Sequence, residues 1–186
     1  MWAVEADVSA VRVIESANVG VRSIDDVVGR AKALCLVALK GQGLTQHEVF
    51  AFADAYGVWE SLSIEENDFV LEPAPEHHEL VQYAWKYEGL WALEWALGVV
   101  RHLAFPDEPC DHAEAARWFV ESIVMAESAH ALRPMKDLLD AVDIARCLDA
   151  ISRSLRANPA EGVPGRLHHG VVHERGSAFA WLVHEI

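Results

Sequence analysis

Cysteine is scarce in this chain, and the three that occur do not form a disulfide framework. Cys35, Cys110 and Cys147 are widely spaced and odd in number, whereas disulfide-stabilised secreted domains carry closely spaced, even sets. Cys35 lies in an apolar run and is expected in the core. The first five residues lack the basic and apolar regions of a signal peptide. We therefore predict a reduced, cytoplasmic location.

Long hydrophobic runs and basic clusters are also missing. The most apolar stretch is interrupted by Glu88 and Glu94, so no segment reaches the roughly 20 apolar residues of a membrane span. Fifteen Lys and Arg face 29 Asp and Glu, for a formal net charge of −14. A surface of this sign repels phosphate backbones, which argues against nucleic-acid partners. It fits a basic protein partner, or serves solubility alone.

The composition is that of a packed globular domain. Hydrophobic residues make up 52% of the 186 residues, and seven of them are tryptophans, which belong in a core or an interface. No repeat, low-complexity tract or long linker divides the chain. We predict an N-terminal arm at residues 1–22 and a single helical domain at 23–186.

Helix-start signals recur along the chain. Ser23 is expected as an N-cap before an acidic first turn. Thr45 and Ser63 each precede a Glu three positions later, an arrangement in which both side chains satisfy free backbone donors. Gly41 and Gly57 are expected as left-handed helix stops. Residues 158–166 read as a loop, and residues 1–22 suit either a helix or a short strand. The fold class is an all-α, compact multi-helix bundle, with helices expected at 23–40, 45–56, 63–72, 76–103 (eased near Gly89), 111–131, 134–157 and 171–185.

One acidic residue falls on an apolar helix face. Glu88 shares helical three-to-four spacing with Trp85, with Trp91 or Ala92, and with Trp95, so it is expected to be buried. A buried carboxylate must find a cationic partner or give up its charge. Glu94 points elsewhere on this helix and is expected in solvent.

Further charged residues lie at the edges of apolar faces. They admit two interpretations: an internal ion-pair network that fixes helix register, or a functional cluster with perturbed carboxylates. The candidate polar cluster consists of Glu88, Arg133, Asp143, Arg146, Glu174 and Arg175.

Four blocks of sequence occur in an order that resembles a known family. They are Trp85 to Gly98, with the pattern Trp-x-x-Glu-x-Leu-x-x-Leu-x-Trp-Ala-Leu-Gly, then 106–111, 132–143 and 171–182. The chain resembles the uncharacterised bacterial family called domain of unknown function 4272, over most of its length from Ser23 onward. The resemblance implies a helical domain and brings no assigned activity.

The same resemblance implies two histidines that this chain lacks. An Arg-x-His-Trp element is expected where residues 146–149 read Arg-Cys-Leu-Asp, and Glu-Arg-His where residues 174–176 read Glu-Arg-Gly. If those histidines form a site together, this chain has lost or rebuilt it. The departure lowers the expectation of catalysis and favours a binding role.

Sequence motifs for metal or nucleophilic chemistry are weak. His169 and His173 are four residues apart, but no His-Glu-x-x-His or Cys-x-x-Cys motif accompanies them. The run 107–112 holds Asp, Glu, Cys and His, yet adjacent residues rarely converge on one metal. Neither a Gly-x-Ser-x-Gly elbow nor a phosphate-binding loop occurs. We assign no catalytic, cofactor-binding or metal residue.

Two classes of function stay open. The first is a protein-interaction module, resembling an immunity protein or antitoxin, or a homodimer; a Trp-rich exposed patch ringed by acids would indicate it. The alternative is a small hydrolase-like enzyme or a metal-binding protein that uses the polar cluster. An open pocket holding Glu88, Asp143 and Arg175 would indicate that class.

Overall fold

A computed structural model of the protein describes residues 19–124, 131–157 and 167–185. Helices dominate the described residues, so the predicted fold class is confirmed. The elements in chain order are β1 (Val19–Val21), α1 (Ile24–Gly41), α2 (Gln46–Tyr56), a 3-10 turn (Trp59–Ser61), α3 (Ile64–Leu71), α4 (His77–Ala84), α5 (Lys86–Ala96), α6 (His112–Trp118), a π-helical turn (Phe119–Val124), α7 (Met135–Ala157), α8 (His169–Leu182) and β2 (Val183–Glu185).

The N-cap predicted at Ser23 and the capping boxes predicted at Thr45 and Ser63 are present, and Ser23 also forms a capping box with Asp26. The side chains of Ser23, Thr45 and Ser63 each accept a hydrogen bond from the backbone three residues on, and the acidic residue there accepts one from the cap's backbone. Gly57 ends α2 in the left-handed conformation, with φ of 62°. The starts of α1, α2 and α3 therefore follow from local chemistry.

Gly41 does not act as the predicted left-handed stop. It is the last residue of α1, and the positive φ of 104° occurs at Gly43 instead. A Cβ built on Gly41 would lie 2.5 Å from the backbone nitrogen of Ala84 and 2.7 Å from the carbonyl oxygen of Leu80. The absence of a side chain therefore lets α4 approach α1 closely.

The prediction of a single helix over residues 76–103 is wrong. The α-helical hydrogen-bonding pattern is interrupted at Trp85, whose backbone keeps φ of −65° and ψ of −15°, and not near Gly89, so α4 and α5 are separate elements. Helix α5 ends at Ala96, and Gly98 has a φ of 75°. This break allows α4 and α5 each to pack against α1, an arrangement that local sequence does not reveal.

The segment predicted as one helix over residues 171–185 forms a helix followed by a short strand. Helix α8 stops at Leu182, and β2 pairs antiparallel with β1, with Val21 opposite Val183 and Val19 opposite Glu185. Part of the ambiguous segment 1–22 is therefore a strand. The helix or strand considered over residues 8–14, and the loop expected at 158–166, lie outside the described residues.

Helix α1 lies between two apolar clusters. One cluster packs α1 against α5, α7 and α8, and the other packs it against α2, α3 and α4. Cys35 is fully buried in the first, as expected. Within the described ranges, none of the helices combines the length and the apolar character that a bilayer crossing requires.

Candidate functional site

A buried ion pair links α5 to α8. Glu88 is 0% exposed and Arg175 is 5% exposed. Arg175 Nε donates to Glu88 Oε2 at 2.8 Å, while the backbone N–H of Cys110 donates to Glu88 Oε1 at 2.5 Å. Arg175 Nη1 also donates to the carbonyl oxygen of Ala104 at 2.7 Å. The predicted burial of Glu88 is confirmed, and its cationic partner is Arg175.

Arg133 reaches the end of α5 but binds carbonyl groups there. Its Nε donates to the carbonyl of Trp95 at 2.6 Å, and its Nη2 donates to those of Val100 and Arg101 at 2.9 and 3.0 Å. The guanidinium carbon also lies 4.6 Å from the centre of the Trp95 ring. A cation at this position compensates the negative end of the helix dipole.

The other members of the candidate polar cluster lie apart from this pair. Glu174 binds Lys86, with Nζ to Oε2 at 2.8 Å, a partner that the sequence analysis did not name. Arg146 is exposed on α7, and Asp143 is half-buried on the same helix. The structure therefore joins Glu88 directly to Arg175, while Glu174 has a separate partner.

Glu94 contradicts the expectation that it lies in solvent. It is 0% exposed, and neither carboxylate oxygen has a hydrogen-bond partner among the described residues. Burial, followed by the nearby charge of Glu114, raises the pKa of Glu94 to about 9. The carboxyl group is therefore protonated at neutral pH.

Neighbouring residues on α5 carry the signal that would have located Glu94 correctly. Leu90 precedes it by four residues and Leu97 follows it by three, so apolar residues surround it on its own face. Helix α5 contacts α1, α6 and α8. A helix that is apolar on all sides is an interior helix.

A cavity of about 650 Å³ lies between α7, α8 and the segment that follows α5. Phe105 and Ile144 on its wall stay 54% and 59% exposed. The described lining residues are mainly apolar. They include three arginines and one histidine but no Asp or Glu. The polar members are Arg101, His102, Arg133 and Arg175; the apolar members include Trp95, Leu103, Phe105, Pro106, Ile144, Leu148, Val172 and Phe179.

A family model, Domain of unknown function (DUF4272), matches residues 3–186. The chain belongs to this family. The resemblance inferred from the four sequence blocks is therefore confirmed. Comparison with curated proteins finds no match, and comparison with solved structures finds none.

Gly176 stands where the DUF4272 resemblance implies a histidine, and there is free space beside it. A Cβ on Gly176 would have no atom within 4 Å, and Gly176 lines a cavity of about 230 Å³ with Arg146, Asp149 and His173. His173 borders this space without filling it. At the other position, Leu148 lines the larger cavity. The loss of a histidine site from this DUF4272 chain stays a hypothesis.

His169 of this DUF4272 chain has two structural contacts. His169 Nδ1 lies 2.9 Å from Ser152 Oγ, and Arg156 Nη1 lies 2.7 Å from His169 Nε2. Because arginine can only donate, Nε2 accepts and Nδ1 carries the proton. Burial, and then the charge of Arg156, lowers the pKa of His169. His169 thus donates to Ser152 and is not placed to remove its proton.

The two histidine-containing motifs do not gather metal ligands in the part of the chain that is described. No three His, Cys, Asp or Glu side chains come together there as a metal site would require. Asp111 caps α6 by accepting from the N–H groups of Ala113 and Glu114. The His112 ring stacks on Tyr87 at 4.8 Å.

The residues of the large cavity that the sequence analysis missed are mostly apolar or lie in a connecting segment. Arg101, His102 and Phe105 belong to the segment between α5 and α6. Ile144 is an apolar residue that stays exposed on α7. An exposed apolar residue is common on protein surfaces, so it becomes informative only once the cavity is seen.

Proposed function

We propose that this DUF4272 domain is a non-catalytic binding domain, and that the 650 Å³ cavity binds a small molecule with an apolar body. The observation that carries the proposal is the cavity itself. Ligand sites in proteins are concave, mainly apolar and on the order of 300–1,000 Å³, with a few polar groups that orient the ligand. The cavity matches each of these features.

The environment of the buried Glu88–Arg175 ion pair supports a binding domain over a hydrolase. A carboxylate that acts as acid, base or nucleophile must reach the substrate. Glu88 is fully buried, and its two oxygens bind Arg175 and the backbone of Cys110. Asp143 does not line the cavity among its described wall residues. The arrangement thus suits a scaffold that shapes the cavity.

Fluorescence of a neutral apolar dye, N-phenyl-1-naphthylamine, tests this proposal. Ile144→Glu places a charge on the cavity wall and should weaken dye binding about tenfold, because an apolar contact is lost and a charge is added. Ile64→Glu is the matched control, since Ile64 is 79% exposed on α3, away from the cavity. Thermal melting confirms that both variants fold.

The two variants should differ clearly. Saturable binding of one dye molecule, weakened about tenfold in Ile144→Glu and unchanged in Ile64→Glu, supports the proposal. Absence of saturable binding, or equal effects of the two substitutions, overturns it.

A protein-interaction role is the second candidate, supported by the distribution of charge. Residues 41–85 contain nine Asp and Glu and no Lys or Arg. Ile64 and Leu71 are exposed within this acidic region. Such a surface suits a basic protein partner, or a second copy of the chain through its apolar residues. The six described tryptophans are all half-buried, so they do not supply the Trp-rich exposed patch.

Native mass spectrometry of the protein, purified gently from its host, tests the second candidate. A partner retained at low salt and released at high salt supports an acidic interface. A salt-insensitive dimer that Ile64→Glu dissociates supports self-association. A monomer without a partner in every condition contradicts both.

A further inference from the structure

We propose that the ligand of the large cavity is a monocarboxylate, a small organic acid whose apolar body fills the cavity and whose carboxylate is bound by its arginines. The inference rests on the function proposed above and adds the chemical class of the ligand. Two independent features support it: the sign of the charge on the wall, and the donor groups that the arginines retain.

The charge of the wall is opposite to that of the protein as a whole. The chain carries a formal charge of −14, yet the described wall holds three arginines and no acidic residue. Glu88 neutralises Arg175, whereas no ion pair to Arg101 or Arg133 occurs among the described residues. Arg133 is half-buried, so its charge is less screened by water than one on an open surface.

Two arginines are held in place by other groups and still retain donors. Arg133 uses Nε and Nη2 for carbonyl oxygens of the chain. Arg175 uses Nε for Glu88 and Nη1 for Ala104. Within the described ranges, Arg133 Nη1 and Arg175 Nη2 have no hydrogen-bond partner. Because these guanidinium groups are already ordered, binding an acceptor costs little additional side-chain entropy.

The balance of charge and apolar surface indicates one carboxylate. A carboxylate offers two acceptor oxygens, and hydrogen bonds between ionised partners are the stronger class. Arg101 is exposed, so water screens its charge. Of the two arginines that are buried or half-buried, only Arg133 lacks a carboxylate partner among the described residues, so a single negative charge matches the site. Leu148, Val172 and Phe179 on the wall favour an apolar body over a strongly hydrated polyanion.

Displacement of N-phenyl-1-naphthylamine by matched ligands tests the inference. Dodecanoate, dodecanol and dodecyltrimethylammonium share one alkyl chain and differ in the charge of the head group. All three are used below their micellar concentrations. Dodecanoate should displace the dye at about a tenfold lower concentration than dodecanol, because charge-assisted hydrogen bonds are stronger than those of a neutral hydroxyl. The cationic ligand should be the weakest.

Arg101→Ala tests the charged wall without removing a described structural bond. Arg101 is exposed, and no bond of its side chain occurs in the described part of the chain. This substitution should reduce the preference for dodecanoate over dodecanol several-fold. Arg146→Ala is the control, because Arg146 is also exposed and does not line the large cavity; it should leave the preference unchanged.

The outcomes separate the two proposals. If the dye binds and Ile144→Glu weakens its binding as expected, but dodecanol displaces the dye as well as dodecanoate does, the monocarboxylate inference fails and the binding cavity stands. Equal loss of preference in Arg101→Ala and Arg146→Ala also overturns the inference. If calorimetry shows no saturable binding of dodecanoate and the dye does not bind, both proposals fail.

Discussion

Arg175 and Glu88 are 87 residues apart in the chain and form an ion pair with both side chains buried, Nε to Oε2 at 2.8 Å. Through Cys110 and Ala104 the same pair also holds the segment between α5 and α6. This segment forms part of the large cavity. The pair therefore stabilises the fold and shapes the candidate site at once.

Removal of Glu88 should destabilise the protein strongly. We expect Glu88→Ala to lower the free energy of unfolding by about 3–5 kcal/mol, because Arg175 is left as a buried charge without its partner. Urea denaturation measures the change. The double variant Glu88→Leu with Arg175→Met should lose less than Glu88→Ala, since no uncompensated charge remains. A loss within about half a kcal/mol for Glu88→Ala would show that the pair is not buried in solution.

Replacement of Glu94 should change how stability depends on pH. In the folded protein the pKa of Glu94 is about 9, against an ordinary value of 4.5. As pH rises through this window the unfolded chain releases a proton that the folded chain keeps, so the native protein loses stability. Glu94→Gln removes the effect and should be more stable by about 3 kcal/mol at pH 7, with little difference near pH 4.5.

Urea denaturation of the Glu94→Gln variant at several pH values provides the measurement. Glu60→Gln is the control, because Glu60 is exposed and its substitution should shift stability little at any pH. A difference between Glu94→Gln and the native protein that does not vary with pH would contradict a protonated Glu94.

Two glycine substitutions should have opposite effects. Gly41→Ala places a methyl group against the backbone of α4, within 2.5 Å of the Ala84 nitrogen, and should cost about 1–3 kcal/mol. Gly176 lies within α8, and a methyl group added there would contact no other atom. Gly176→Ala should therefore raise the free energy of unfolding by about 0.5–1 kcal/mol, because alanine favours a helix. Thermal unfolding compares the two. Equal effects would show that α1 and α4 do not approach closely at Gly41.

The cysteines should differ in reactivity. Burial raises the pKa of the Cys35 and Cys110 thiols, and the thiolate is the reactive form. We expect a disulfide reagent such as dithionitrobenzoate to label at most Cys147 in the native protein and all three cysteines in urea. Cys147→Ser should leave the native protein nearly unreactive. Rapid labelling of Cys35 in that variant would contradict its burial, and rapid labelling of Cys110, which is half-buried, would contradict the raised pKa of its thiol.

The candidate site was only partly predictable from the sequence. The burial of Glu88 follows from its position among tryptophans on one helix face. Its partner does not, because an arginine 87 residues away comes close only when α8 packs on α5. Glu94 was misplaced because only the tryptophan face of α5 was taken as buried, although Leu90 and Leu97 place apolar residues on the face of Glu94 as well.

Sequence alone determined the helical class, the starts of α1, α2 and α3, and the family. Caps and helical periodicity act within a few residues, so they are visible locally. Tertiary structure alone decided the break at Trp85, the role of Gly41, the pairing of β1 with β2 and the cavity with its arginines. Each of these depends on contacts between segments distant in the chain, and their free energy appears only when the elements pack together.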